Sequence, residues 1–350
     1  MAKKEVKPNF TFIDLFAGIG GFHLAGKQLG GKCVFSSEWD KAAQMTYEKN
    51  FGYQPFGDIT DKENKQRIPK KFDLLFAGFP CQPFSYAGQN KGFSDKTRGT
   101  LFFDVLEILK NHKPASFVLE NVKGLVSHKS GATLMIIEAA LKDLGYHIKW
   151  QVMNSYHFGL PQYRERWYCV GFKTQKQAEE FNFPVGTKTG SKLKDIIDKK
   201  SDKDPIIQLS EFEKVRIDYH YKHEKKFDDR RVKHDNSKYA KGTKKGRHGI
   251  YSFIKPDGSL RFHVGDYAKT QIQEAYYASV NSYAPTIIAN RVPKLLELRR
   301  KLSVLEAQRL QGFPDDFIFP TSPNQAYKQL GNSVSVPVVK AIIDSVLKKI

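Results

Sequence analysis

The apolar positions in the first half of the chain form short runs that are separated by longer mixed segments. The apolar runs predict strands near 10–16, 33–37, 72–78, 115–119, 146–153 and 167–172. The segments between them favour helices near 22–29, 41–50, 101–111 and 132–144. A further strand that ends in an acid is expected at 57–59. This alternation predicts an α/β fold, with a mostly parallel sheet covered by helices on both faces.

The regular pattern is lost near Pro184 and returns after about residue 294. In between, Lys and Arg are dense and turns are frequent, so we expect a smaller domain of mixed strands over 185–294. Later, Ser303 and Glu306 have the spacing of a capping box and predict the start of a helix. Pro337 suits the first turn of a terminal helix near 338–347.

The composition of the chain predicts the kind of binding partner and the cellular compartment. The 350 residues include 57 Lys and Arg against 37 Asp and Glu, a formal net charge of +20. A polyanion is the expected partner, with a lysine-rich proteome as the alternative explanation. Cys33, Cys81 and Cys169 are far apart, so neither a disulfide framework nor a metal site is predicted. The N-terminus lacks a signal-peptide core and no run reaches membrane-spanning length, so a reducing cytosol is expected.

A glycine turn at 17–21 joins the first predicted strand to the first predicted helix. Strand, glycine turn and helix open nucleotide-binding units, because glycine lets a ligand approach the backbone. Glu38 ends the second strand, where such units grip a ribose hydroxyl. A helix-start acid is the alternative for Glu38. Asp58 could accept a hydrogen bond from an adenine amino group, or serve ordinary turn chemistry.

Cys81 lies just beyond the apolar run 72–78, between Pro80 and Pro83. The carboxyl end of a buried strand is where open α/β sheets bind ligands, and the two prolines favour a fixed direction for the sulfur. A small buried cysteine in a turn is the alternative. The polar segment 85–99 contains several glycines and is typical of a movable lid.

Glu120 follows the next predicted strand, so Cys81 and Glu120 should emerge at one sheet edge if their strands are parallel neighbours. A thiol and a carboxyl beside a nucleotide-like pocket indicate covalent catalysis on an electrophilic ring. Cytosine protonated at N3 is such a ring, since a thiolate can add to C6 and make C5 nucleophilic. A free thiol is only slightly ionised at neutral pH, so positive neighbours are needed. Arg164 and Arg166 are candidates to bind cytosine O2 or a phosphate, with surface pairing to Glu165 as the alternative.

Eight short motifs occur in the order that characterises one enzyme family. Together they resemble the cytosine-5 DNA methyltransferases, in particular those of bacterial restriction–modification systems, over about 10–172 and 299–349. The motifs are Asp14-Leu15-Phe16-Ala17-Gly18-Ile19-Gly20-Gly21, Glu38-Trp39, Gly57-Asp58-Ile59, Gly78-Phe79-Pro80-Cys81-Gln82, Glu120-Asn121-Val122, Gln162-Tyr163-Arg164-Glu165-Arg166, Arg309-Leu310-Gln311-Gly312-Phe313-Pro314 and Gly331-Asn332-Ser333-Val334.

The resemblance implies a Rossmann-like fold that uses S-adenosylmethionine as methyl donor and releases S-adenosylhomocysteine. It implies Cys81 as the nucleophile, Glu120 as the group that hydrogen-bonds N3 of the base, and Asn121 as a residue that steadies the loop at the site. Arg164 and Arg166 complete the catalytic candidates. The expected donor pocket comprises Phe16, Gly18, Ile19, Gly20, Glu38, Trp39, Asp58, Ile59, Gly78, Leu101, Asn332 and Ser333.

The resemblance also implies that the target cytosine is flipped out of duplex DNA, at a cost of a few kcal/mol that lid closure must offset. The region 185–294 would be the target-recognition domain, and 295–350 would complete the catalytic domain begun by 1–184. Arg247 and Arg261 are candidate guanine readers in the basic, aromatic-rich segment 238–261, for which a solvated face is the alternative. The expected DNA contacts are Ser85, Arg98, Arg247, Arg261 and, on a backbone phosphate, Thr286.

Double-stranded DNA is therefore the expected substrate, and a cognate restriction endonuclease the expected functional partner. The family resemblance further implies a monomer in the bacterial cytoplasm, associated with the nucleoid and not with a membrane. Two rivals stay open on the sequence: a tRNA cytosine-5 methyltransferase of the same fold, and a catalytically silent DNA-binding protein.

Overall fold

The computed structural model describes residues 8–80, 101–187, 189–226, 230–234, 250–264, 272–289 and 291–350. Its strands are β1 (Phe10–Leu15), β2 (Gly31–Ser37), β3 (Leu74–Gly78), β4 (Ser116–Val122), β5 (His147–Asn154), β6 (Gln162–Tyr163), β7 (Glu165–Phe172), β8 (Val232–His234), β9 (Ile250–Ile254), β10 (Leu260–Val264), β11 (Ile272–Ala278), β12 (Ala284–Pro285), β13 (Lys294–Leu295) and β14 (Arg300–Lys301). Its helices are α1 (Gly21–Gln28), α2 (Lys41–Phe51), α3 (Lys62–Gln66), α4 (Phe102–His112), α5 (Ala132–Asp143), α6 (Gln175–Glu180), α7 (Glu211–His223), α8 (Val304–Gln311), α9 (Pro323–Asn332) and α10 (Val336–Leu347).

The first sheet has the strand order β2-β1-β3-β4-β7-β5. β2, β1, β3 and β4 are parallel, while β7 runs antiparallel to both of its neighbours. The predicted α/β architecture with a mostly parallel sheet is therefore confirmed. The strand expected to end at 57–59 is wrong, because the described chain there forms only a single parallel bridge between Phe56 and Ser37.

Alternate side chains of the central strands feed two separate layers of the core, as the period of two in a strand requires. Phe12, Leu74 and Phe76 pack in one cluster with side chains of α1 and α10. Ile13, Leu75 and their neighbours pack in a second cluster with side chains of α4 and α5. Because both faces are covered, these strands are continuous apolar runs, which is why their positions could be predicted.

The last two helices return the chain to the first sheet. α10 packs against α1, and Pro337 lies in its first turn, as predicted. α9 was not predicted from the sequence. The stretch Pro323–Leu347 is long and apolar enough to cross a bilayer by length and composition. However, residues 333–335 interrupt it, and much of it is buried in the core.

A second sheet, with the order β14-β13-β11-β10-β9-β8, lies in the region where mixed strands were expected. Its pairs are antiparallel except β11 with β13. It also takes in Arg300–Lys301, beyond the boundary at 294 that the sequence suggested. Helix α7 covers one face through Ile217, which packs with Leu260 and Phe262.

A buried ion pair joins the second sheet to helix α8. The Arg300 side chain, on β14, is fully buried and donates to both carboxylate oxygens of Glu306 on α8, each at 2.8 Å. Glu306 also accepts from the Asp198 and Ser303 backbone N–H groups. The predicted capping box is thus present, with its acid shared between helix start and ion pair.

We expect Arg300→Met to destabilise the fold by about 3–5 kcal/mol, because it leaves the buried Glu306 carboxylate without its cation. The adjacent variant Arg299→Met is the matched control. Arg299 pairs with Asp218, whose side chain is 69% exposed, so its loss should change stability by less than about 1 kcal/mol. Urea unfolding of both variants measures the difference, and equal midpoints would contradict the assigned role of Arg300.

Candidate active site

A cavity of about 590 Å³ opens at the carboxyl ends of the parallel strands. Most of the residues expected at the site meet here, although they are spread from residue 16 to residue 333. Those that line the cavity are Phe16, Gly18, Ile19, Glu38, Trp39, Asp58, Ile59, Gly78, Leu101, Glu120, Asn121, Arg164, Arg166, Asn332 and Ser333. The position follows from parallel strands that end together at one sheet edge.

The glycine turn forms one wall of the cavity. Gly18 has φ +55°, and a Cβ atom there would meet no atom within 4 Å, so its backbone is open to a ligand. Gly20 does not line the cavity. Its φ is +86°, and a Cβ atom would lie 2.3 Å from the Phe51 ring. Gly20 is therefore needed for the sharp turn and for close packing on α2.

Glu38 braces this wall. Its carboxylate accepts from the backbone N–H of Gly18 at 2.7 Å and from that of Asp40 at 2.8 Å. Burial raises the pKa of Glu38, and these two donors oppose the shift. Asp40 also caps α2 with its side chain, so Glu38 itself is not the helix cap. Next to it, Trp39 is 75% exposed, so its indole ring is available for contact with a ligand.

Asp58 and Ile59 form another part of the wall. Asp58 is exposed, and its Oδ1 accepts from the Thr60 backbone N–H at 2.9 Å. This is the turn chemistry that was one of the two interpretations of Asp58. Since Asp58 also lines the cavity, the turn fixes a carboxylate at the cavity wall. Ile59, the next residue, is buried.

Glu120 and Gly78 are register partners on the parallel strands β4 and β3. A Cβ atom on Gly78 would lie 3.5 Å from the Glu120 Oε2 atom, so the glycine leaves space over the carboxyl. Glu120 is buried, and its Oε1 lies 3.2 Å from the Arg166 Nε. Burial raises the pKa of Glu120 more than Arg166 and Arg164 lower it. The cavity therefore contains a carboxyl group whose pKa lies above its ordinary value.

Asn121 holds the chain where β3 ends. Its Nδ2 donates to the Phe79 carbonyl at 2.8 Å, and its Oδ1 accepts from the Val122 N–H. Cys81 follows two residues after Phe79 in the sequence. Cys81 itself lies outside the described residues, as do Ser85, Arg98, Arg247 and the segment 85–99.

Arg164 and Arg166 differ in what they contact. Arg164 is buried, and its terminal nitrogens donate to the carbonyls of Ile287, Gly331 and Ser333 at 2.7–3.1 Å. Burial, with Arg166 nearby, lowers the pKa of Arg164 to about 9. Arg166 instead pairs with Glu120. Neither arginine pairs with the Glu165 carboxylate, which binds Lys123 at 2.8 Å.

Two buried glutamines complete the framework and were not singled out from the sequence. Gln162 Nε2 donates to the Leu310 carbonyl and to Gln311 Oε1, and Gln162 Oε1 accepts from the Ile287 N–H. Gln311 in turn donates to the Leu330 carbonyl at 2.6 Å. Both glutamines lie inside recognised motifs, so their presence was visible, but their function as cross-links between distant segments was not.

The opposite wall is formed by α9, which contributes Gln325, Lys328 and Gln329 to the cavity lining. The Lys328 ammonium lies 3.1 Å from Asp40 Oδ2, so an ion pair joins this wall to the start of α2. Sequence analysis missed these residues because α9 itself was not predicted. Its start carries a signal that could have found it, Ser322 followed by Pro323.

The two described DNA-contact candidates lie outside the cavity. Arg261 stacks over the Tyr276 ring, with its guanidinium carbon 3.6 Å from the centroid, and its Nε donates to Ser259. Thr286 donates its hydroxyl to the Tyr163 carbonyl at 2.9 Å. Both therefore have partners within the chain.

An α/β sheet with a glycine turn, an acid at the end of the second strand and a cavity over the strand ends is the architecture of a nucleotide-type cofactor enzyme. The fold is similar to that of the Dnmt2 methyltransferase of S. pombe, with a TM-score of 0.63, 16% identity, and coverage of 97% of this chain and 98% of that one. A putative DNA modification methyltransferase encoded within an E. coli prophage is similar at a TM-score of 0.61 and 20% identity, over 96% of this chain and 98% of that one. This chain thus shares its fold with these two proteins.

The family profile of the C-5 cytosine-specific DNA methylases matches residues 10–348. The chain belongs to this family and is a cytosine-5 DNA methyltransferase. It is 43% identical to the type II methyltransferase M.HpaII of Haemophilus parainfluenzae, over 99% of this chain and 91% of that protein. It is 36% identical to the type II methyltransferase M.HhaI of Haemophilus parahaemolyticus, over 97% of this chain and 95% of that protein.

Asn121→Asp should lower both stability and turnover, because it places an oxygen opposite the Phe79 carbonyl where a donor is needed. The buried mismatch should cost about 1–3 kcal/mol, and misplacement of the adjoining loop should lower kcat by about tenfold to a hundredfold. Urea unfolding and methyl-transfer assays measure the two effects.

Asn50→Asp is the control, since Asn50 donates to two carbonyls at the far end of α2. It should lose stability but keep its turnover per folded molecule. If both variants retain normal kcat, Asn121 does not position the chain segment that leads to Cys81.

Proposed function

We propose that this protein transfers a methyl group from S-adenosylmethionine to C5 of a cytosine flipped out of duplex DNA at a short specific sequence. The observation that supports this most directly is the buried Glu120–Arg166 pair. It lies in the same cavity as the glycine turn and Glu38, and beside the strand that leads to Cys81. A buried carboxyl group paired with an arginine beside a nucleotide-type pocket suits recognition of a pyrimidine ring.

The residues of the cavity fit the proposed methyl donor. Its volume is within the range of about 300–1,000 Å³ that is usual for small-molecule sites. The open backbone at Gly18, the Glu38 carboxylate and the exposed Trp39 ring suit an adenosine. Asn332 and Ser333 are assigned to the methionine end. When bound, S-adenosylmethionine supplies an electrophilic methyl group for C5.

Cys81 is assigned as the nucleophile from its motif and its position after β3. Its thiolate forms a bond to C6 of cytosine, and the C5–C6 double bond supplies an electron pair to C5. The methyl group would pass to C5 with S-adenosylhomocysteine as the leaving group, and a base would then remove the C5 proton. The electron pair then re-forms the double bond as the C6–sulfur bond breaks and the thiolate leaves. The cysteine is regenerated, so the step balances without an external oxidant or reductant.

Glu120 and Arg166 are assigned to the edge of the cytosine ring that carries N3 and O2, away from the C6 atom that the thiolate attacks. A protonated Glu120 can donate to N3 and so draw electron density away from C6, which favours addition of the thiolate. Arg166, held by Glu120 at 3.2 Å, can donate to cytosine O2 as negative charge develops there. Arg164 is assigned a positioning role, because its terminal nitrogens already bind three carbonyls.

The region 185–294 is proposed as the target-recognition domain inserted into a catalytic domain formed by 1–184 and 295–350. Thr286 and Arg261 are proposed as DNA contacts of this region. Since the relatives named above are type II methyltransferases, we further propose a cognate restriction endonuclease as the functional partner. We propose a monomer that acts on DNA in the bacterial cytoplasm.

The proposed covalent route is tested with DNA that carries 5-fluorocytosine. Fluorine cannot leave C5 as a proton does, so the enzyme should remain bonded to the base after methyl transfer. We expect a denaturant-stable adduct with duplex DNA and S-adenosylmethionine, visible as a shift on a denaturing gel. Bisulfite sequencing of DNA from cells that express the protein identifies the sequence to be used.

Cys81→Ser is the control, which should form no adduct while it retains donor binding. A wild-type enzyme that methylates duplex DNA but gives no adduct would contradict the covalent route. Labelled methyl groups that enter tRNA and not duplex DNA would favour the tRNA methyltransferase instead.

Glu120 should determine the alkaline limb of the pH–rate profile. Its pKa is raised by burial, so the protonated form persists to higher pH than in a free carboxyl and is lost as the pH rises through that pKa. The rate of methyl transfer in a single turnover should therefore fall on this limb. Glu120→Gln keeps a donor for N3 but cannot lose a proton, so it should react slowly and without this limb.

Glu165→Gln is the matched control, because Glu165 is the neighbouring acid that pairs with Lys123 away from Glu120. It should keep the wild-type profile. A Glu120→Gln enzyme whose alkaline limb is unchanged would show that another group titrates there.

A further inference from the structure

A tight turn closed by Ile288 and Arg291 follows Thr286 in the proposed target-recognition region. The Arg291 N–H donates to the Ile288 carbonyl at 3.0 Å and closes the turn. Ile288 is 45% exposed, and Arg291 is exposed as well. Ile288 and Arg291 thus present an apolar and a cationic side chain to the surface.

The base of this turn is fixed to the catalytic framework. Ile287 is fully buried, its N–H donates to Gln162 Oε1 at 2.9 Å, and its carbonyl accepts from Arg164 at 2.9 Å. The turn also rests on Gly331, where a Cβ atom would lie 2.5 Å from the Ala289 nitrogen. Gly331 belongs to the cavity wall. A group that binds to the turn is therefore held at a fixed position relative to the cavity.

Thr286, Arg291 and Lys294 share a small surface depression of about 90 Å³ with Tyr276. The Lys294 ammonium is 2.5 Å from a Glu213 carboxylate oxygen, so its charge is already neutralised. Within the described ranges, the Arg291 side chain has neither an ion pair nor a hydrogen bond. Arg291 is consequently the unneutralised cation of this depression.

The hydroxyl of Thr286 strengthens this assignment. A threonine hydroxyl has a single proton to donate, and in Thr286 that proton is given to the Tyr163 carbonyl. An anion at Thr286 therefore needs a donor from elsewhere. Arg291 lines the same depression and carries five N–H donors in a fork that matches phosphate oxygens.

We propose that Arg291 binds a backbone phosphate of the DNA strand at the Thr286 depression. The inference rests on the proposed function, because it takes duplex DNA as the substrate. Phosphate contacts fix the register of a duplex without reading its sequence. Since the turn rests on Gly331 and is held by Arg164, Arg291 sets where the strand lies relative to the cavity into which the base must enter.

The experiment compares Arg291→Gln, Arg291→Lys and Lys71→Gln with the wild type. Lys71 is an exposed lysine just before β3, at the opposite edge of the sheet from the cavity, and it controls for the loss of one positive charge. Affinity for a fluorescent duplex that contains the methylated sequence is measured over a range of salt concentrations, with S-adenosylhomocysteine present. Donor affinity without DNA is measured in parallel, to establish that each variant is folded.

Arg291→Gln should weaken DNA binding and reduce the slope of log K against log salt by about 0.9, the value for one phosphate contact. An unrelated duplex should lose a similar factor, because the contact carries no sequence information. Arg291→Lys should keep most of the slope, and Lys71→Gln should match the wild type. Donor affinity should be unchanged in all variants.

An unchanged slope in Arg291→Gln, or an equal reduction in Lys71→Gln, would overturn the assignment of Arg291. A loss confined to one base sequence would also overturn it, since that result indicates base reading. If the wild type binds no duplex DNA, the proposed function fails first, and this outcome is distinct from a failure of Arg291 alone.

Discussion

The buried guanidinium of Arg164 is the interaction on which the arrangement of the site depends. It joins the carbonyl of Ile287, in the region 185–294, to those of Gly331 and Ser333 at the cavity. The hydrogen bonds of its two terminal nitrogens offset the cost of burying this cation, while its Nε atom has no hydrogen-bond partner among the described residues. Three segments that are far apart in sequence are thus held at the relative position in which these carbonyls are bound.

Gln162 and Gln311 extend the same principle. Amide side chains can donate and accept at once, so each can bridge two backbone segments where a charged group would need neutralisation. Gln162 connects Ile287 to Leu310 near the end of α8. Gln311 connects α8 to Leu330 on α9. The cavity wall is therefore built from backbone positions fixed by buried polar side chains, which keep their geometry because the alternatives leave polar groups without partners.

Much of this protein could be predicted from the sequence because its central strands are buried on both faces. Runs such as 72–78 are apolar without interruption, and motif residues follow them directly. The glycine turn, Glu38 and Glu120 could be expected at one sheet edge, since parallel strands bring their carboxyl ends together. Asn332 and Ser333 were expected there only from the family resemblance. The mixed strands of 185–294 were recognisable only as a change in pattern, and the sheet also recruits Arg300–Lys301.

Other features could not be predicted because they depend on long-range contacts. Helix α7 has Ile217 and His220 as its only buried residues, so it lacks the wide apolar stripe that identifies a helix. Its capping box at Ser210 and Glu213 was the available signal. The expected role of Arg164 in binding an anion was inferred from its residue type. Its true partners lie more than a hundred residues away along the chain.

The packing of α10 against α1 has a consequence for the synthesis of this enzyme. Ribosomes synthesise a chain from its N-terminal side, so β1, the glycine turn and α1 are made about 300 residues before residues 331–333. The part of the cavity wall that residues 331–333 supply is absent until they have been made. A nascent chain that has not reached residue 331 therefore lacks a finished cavity.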